Sequence, residues 1–113
     1  MPKRPDTVKV DSSGIQGEGS WVEFRRLTWG ERQDIVKQIG ELEGEAYRKF
    51  VVEFMLGQLV SWNWVDKNGK PLKMPTNEES LDSLYPEESD FLVNLAVKAV
   101  AGRLELTDAD LKN

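Results

Sequence analysis

The side chains that most often do chemistry near neutral pH are missing from this chain. Among its 113 residues there is neither cysteine nor histidine. That removes thiolate nucleophiles, disulfides, Ser-His-Asp and Cys-His constellations, zinc sites built on Cys or His, and the ordinary proton shuttle. Carboxylates, lysine and tyrosine remain. Six carboxylates (Glu78, Glu79, Asp82, Glu87, Glu88 and Asp90) fall in one stretch with no basic residue between them. Paired carboxylates can divide acid and base work only inside a cleft. At helix starts they read instead as favourable charges on the positive end of the helix dipole, or as a docking face for a basic partner. Asp66-Lys-Asn-Gly69 has the opening of a calcium loop, but its glycine comes two positions early, and Pro71 and Pro75 interrupt what would be the rest of the loop. Ile15-Gln-Gly-Glu-Gly-Ser20 has two glycines but lacks the Lys-Ser/Thr of a phosphate loop. The expectation is a protein with no catalytic, cofactor or metal site, and so not an enzyme.

Charge narrows the partners. Lys+Arg number 15 against 20 Asp+Glu, a net charge of −5. Without excess positive charge to displace phosphate counterions, nucleic acid is not an expected partner. The longest apolar-rich stretch, Phe50 to Val65, is interrupted by Glu53, Gln58 and Asn63. It falls short of the roughly 20 apolar residues of a membrane span. Met1 to Asp6 is basic with no apolar run behind it, unlike a signal peptide. A soluble cytoplasmic protein is expected.

The most distinctive feature is Trp62-Asn-Trp64. With the segment extended, the expectation is that the two indoles point apart, so that one core cannot take both. Leu72 and Met74 lie just beyond, in the proline-bounded run Lys70-Pro-Leu-Lys-Met-Pro75. Trp62, Trp64, Leu72 and Met74 are therefore the candidate partner-binding strip, since aromatic side chains dominate protein interfaces. Lys67, Lys70 and Lys73 lie beside them, but three lysines without arginine in an acidic chain argue against stacking of single-stranded nucleic acid.

The positioning elements read as mainly α: a small domain of about four helices with a short N-terminal β-hairpin or strand element. Thr7-Val-Lys-Val10 and Trp21 to Leu27 are strand candidates, joined by a loop of about ten residues. Thr28-Trp-Gly-Glu31 matches a capping box. It opens a helix near residues 29–42 with Ile35, Val36, Ile39 and Leu42 on one face. A second helix, residues 46–61, carries two apolar stripes and is expected at the centre. Thr76-Asn-Glu-Glu79 reads as another capping box for a helix over 77–85, and Pro86 as the first residue of a helix over 86–101. Phe50, Phe54, Leu92 and Leu95 are expected in the core. The organisation is a flexible N-terminus (1–6), one globular domain (7–102) and a polar C-terminal tail (103–113).

The order of these features resembles the tail assembly chaperones of long-tailed, siphovirus-type bacteriophages. The resemblance rests on Trp21-Val-Glu-Phe-Arg-Arg-Leu-Thr28 leading into a capped helix, and on Val60-Ser-Trp-Asn-Trp-Val-Asp66. Asn68-Gly-Lys-Pro-Leu72, Pro75 and Leu84-Tyr-Pro-Glu-Glu88 complete it, covering about residues 20–102. It implies a non-enzymatic helper that works in the host cytoplasm and is absent from the mature virion. Such a helper binds the tape-measure protein, helps recruit tail-tube subunits and can self-associate. The alternative is a structural component retained in the particle, of tail-terminator or head–tail connector type.

Overall fold

The computed structural model of the protein describes residues 5–101. The elements run β1 (Thr7–Asp11), α1 (Ser13–Gln16), β2 (Trp21–Arg25), α2 (Trp29–Gly40), α3 (Gly44–Gln58), β3 (Leu59–Trp62), a 3-10 helix (Glu78–Ser83) and α4 (Pro86–Val100). The described residues are 54% helical and 16% strand. This overturns the mainly α expectation: the protein is a small α+β domain with a three-stranded antiparallel sheet, ordered β1-β2-β3. The expected tail, 103–113, lies outside the described residues.

The correction has a local origin. Residues 59–62 continue the apolar stripes of the preceding helix, so periodicity alone extends that helix through them. The chain instead turns extended at Leu59 (φ −75°, ψ 122°) and pairs with β2. Without β3, the second edge of β2 would leave backbone N–H and C=O groups unpaired, and tertiary pairing outweighs the weak local preference. The pairing matches Glu23 with Ser61 and Phe24 with Leu59, so Val60 is the extra residue of a bulge.

β1 and β2 pair in unbroken register from Thr7↔Arg25 to Asp11↔Trp21. The pleat sends Val8, Val22 and Phe24 inward. There Val22 and Phe24 meet Met55 of α3 and Leu92, Leu95, Ala96 and Ala99 of α4. On the outer face, Lys9 sits over the Trp21 ring at 4.2 Å. Glu23 at the sheet centre accepts hydrogen bonds from Thr7 Oγ1 and Ser61 Oγ, one from each flanking strand.

Helix starts explain the rest. Thr28 and Glu31 form the expected reciprocal cap of α2. The cap of the 3-10 helix is shifted from the expected Thr76–Glu79 to Asn77 and Ser80: Ser80 N–H donates to Asn77 Oδ1, and Asn77 N–H to Ser80 Oγ. No helix among the described residues is long and apolar enough to cross a membrane.

Of the four expected core residues, Leu92 and Leu95 are fully buried, whereas Phe50 and Phe54 are half-buried. The centre of α3 is Met55, with no exposed surface, flanked by Val51 and Val52. Met55→Ala should therefore destabilise the protein by about 2–5 kcal/mol, as buried large-to-small changes do. Phe54→Ala should cost less than Met55→Ala. Urea unfolding of the two variants checks the order.

Two ladder-bridging contacts also set a pH dependence. The hydrogen bonds from Thr7 and then Ser61, helped by Lys9 across the strand, hold the Glu23 carboxyl below its ordinary 4.5. A depressed folded-state pKa gives stability that is present above the unfolded value and lost as pH falls through the folded one. Wild-type stability should fall on acidification below about pH 5, and Glu23→Gln should flatten that slope. Thermal melts between pH 7 and 3 measure it.

Candidate functional site

The tryptophan strip comes together, though not as expected. In an extended chain, neighbouring residues alternate while i and i+2 share a face. The Trp62 and Trp64 rings accordingly stack, with centroids 4.4 Å apart and an interplanar angle of 11°. Trp64 also meets Phe91 of α4, at 6.2 Å between ring centroids. Asn63, the residue between, faces the other way. Its side chain accepts from Trp21 N–H and donates to Gly19 O, continuing the ladder beyond β3.

The remaining contacts turn the strip inward. Trp64 Nε1 donates to Ser12 Oγ at 2.9 Å, and Ser12 Oγ donates to Ser20 Oγ at 2.7 Å. Trp62 Nε1 donates to the Leu72 carbonyl, while Leu72 N–H donates to the Trp64 carbonyl. Leu72 and Met74 are half-buried against the core. Trp64 is 1% exposed, so a partner cannot touch it in this fold. Trp62, Trp64 and Leu72 are thus tied to one another, and Met74 packs against the same core, with Trp62, Leu72 and Met74 the half-buried members.

The other candidates are also occupied structurally. Asp66 Oδ1 accepts from the N–H groups of Asn68 and Lys70, an Asx-type turn closed by Gly69 at φ 80°. Within the acidic stretch, Glu78 pairs with Arg48 at 2.7 Å. Glu88 is buried, accepting from Tyr85 N–H and Gln16 Nε2. Gln16 also bridges the N–H and carbonyl of Val65. Among the described residues, no group of three or more His, Cys, Asp or Glu side chains is arranged to hold a metal ion.

The accessible apolar surface lies on the helices. A cleft of about 330 Å³ opens between α2, α3 and α4, with Val36 and Ile39 on one wall, Phe50 and Phe54 on the second, and Val97 and Val100 on the third. Val36, Tyr47 and Val97 at its margin are exposed, Val97 by 51%. Beyond Tyr47 and Val51, a second cleft of about 450 Å³ continues between α3, α4 and the 3-10 helix. The α2 wall contains no buried residue. Its attachments include the Thr28 cap and Arg32, whose Nε donates to the Val100 carbonyl at 2.7 Å. Elsewhere, Trp29 stands 72% exposed over a cleft with Arg25 and Arg26. Together these residues leave apolar side chains accessible to solvent along one side of the helical layer.

Sequence periodicity marks the apolar stripes of all three helices but assigns them to the core. Val97, which falls outside the main stripe of α4, is the residue that signals an unfilled second face.

No family model, curated protein or solved structure matches the chain.

The two indoles should separate cleanly by mutation. Trp64→Ala should cost about 3–5 kcal/mol, as deletion of a fully buried aromatic does. Trp62→Ala, at the half-buried position, should cost less and leave the fold intact. Thermal melts with near-UV circular dichroism test this, the Trp62→Ala variant also losing the signal of the stacked pair.

Proposed function

We propose that the protein is a non-enzymatic tail assembly chaperone of long-tailed bacteriophages. In this reading it holds a segment of the tape-measure protein in the host cytoplasm, helps recruit tail-tube subunits, and leaves before the particle is complete. The observation that carries the reading is the three-helix groove: a continuous apolar surface, open to solvent, with one charged side chain in its lining. Support also comes from the residues of the resemblance, above all the Trp62-Asn-Trp64 segment and its Asn68-Gly-Lys-Pro-Leu72 turn.

The geometry suits a transient holder. Two linked clefts can shield a few apolar side chains of a client, each contributing about 1.5–3 kcal/mol when fully buried. A contact of that size belongs with small, reversible interfaces. Reversibility is what an assembly helper needs, because the tube subunits must later replace it. The acidic surface adds selectivity against nucleic acid.

Purified particles decide between this reading and a retained structural component. Quantitative mass spectrometry of virions should find the protein absent, or far below the copy number of any ring component. Stoichiometric recovery would favour the tail-terminator or connector type. A phage carrying Val97→Glu, which puts a charge on the exposed groove wall, should give at least ~10-fold fewer tailed particles, as expected when an interface anchor loses more than about 1.4 kcal/mol.

A further inference from the structure

We infer that the groove between α2, α3 and α4 receives an amphipathic α-helix from a protein partner, with a carboxylate of that helix seated on Arg32. This rests on the reading above and names the chemistry of the segment held. Arg32 is the charged side chain among those lining this cleft, and no carboxylate lines it. Its Nε is engaged by the Val100 carbonyl, which fixes the guanidinium at the end of the groove. Among the described residues, its two terminal nitrogens make no hydrogen bond or salt bridge. A guanidinium held in place with donors left over, beside an apolar wall, is matched by a carboxylate through charge-assisted hydrogen bonds.

The walls determine the backbone of the occupant. They are helices, whose backbone groups are bonded internally. A strand laid among them would bury its own N–H and C=O groups without partners, whereas a helix brings its bonds with it. Apolar residues at i, i+3, i+4 and i+7 would reach Val36, Phe54 and Val97, as in other helix-in-groove contacts. A second copy is a poorer match. A two-fold contact through this face would set two arginine-bearing, carboxylate-free grooves against each other.

The test uses the full chain and a displayed library of 18-residue amphipathic peptides with randomised flanking positions. Selection should enrich peptides with Asp or Glu at one flank. Changing that acid to its amide should weaken binding by ~10-fold or more, corresponding to about 1.4 kcal/mol. Arg32→Glu should reverse the preference, favouring Lys at the same peptide position. Val97→Glu and Val36→Asp, on opposite walls and both exposed, should abolish binding while thermal melts stay near wild type. The inference is overturned by a selection with no acidic enrichment or no binder, or by equal affinity for acid and amide. Binders indifferent to both wall variants would overturn it too. A groove-mediated dimer that Val97→Glu dissociates would assign the face to a second copy. Groove resonances that move in the free chain on changing Leu104 and Leu106 to serine would assign it to the chain's own last residues. Protein found in virions with the acid preference intact removes the chaperone reading and leaves the groove chemistry standing. Absence from virions without the preference does the reverse.

Discussion

The buried indole of Trp64 is the contact on which the rest of the domain depends. It joins segments distant along the chain: Ser12 in the loop after β1, Trp62 at the end of β3, and Phe91 in α4. A tryptophan is suited to this because it combines a large apolar area with one N–H that must be satisfied when buried. Ser12 supplies the acceptor and donates its own proton to Ser20, so the loop closes over the ring with no polar atom of that network stranded. Gln16, held to the Val65 backbone and to Glu88, ties the same loop to α4 a second time.

That joint sets the two layers. β2 is central and its inward residues Val22 and Phe24 are fully covered, so the sheet must be roofed by α3 and α4. Those two helices commit one face each to the sheet. Part of their remaining apolar surface faces α2, and α2, with no buried residue, covers it incompletely. The groove is thus a consequence of layering: α3 and α4 already cover the sheet, and α2 stands beside them without closing the space between.

Local chemistry is legible in the sequence. The Thr28–Glu31 cap, the strands on either side of the 12–20 loop, the turn at Asp66–Gly69 and the start of α4 at Pro86 all arise from side chains acting within a few residues of themselves. What the sequence conceals is decided at a distance. Leu59 to Trp62 fits the stripe of α3 as well as it fits a strand, and only the open edge of β2 resolves the choice. The expected divergence of Trp62 and Trp64 fails because their sides obey the two-residue period of that strand, with the alternating direction belonging to Asn63. The candidate site is less legible still: Val36, Phe50, Phe54 and Val97 are core-like residue types, and their exposure depends on how far α2 stands from α4. Arg32 carries no signal in one dimension, since its meaning lies in a carbonyl 68 residues away.

The bulge at Val60 bears on a hazard that every small open sheet faces. A sheet with two free edges offers each as a template for another chain, and flat apolar edges seed aggregation. β3 is four residues long, and its bulge twists the ladder within that length. On the opposite edge, β1 carries Lys9, a charge that resists edge-to-edge addition. Even when crowded with copies of itself, such a domain can leave an apolar groove open for a helix and still refuse strands. In the function proposed above, backbone geometry is then what selects the partner.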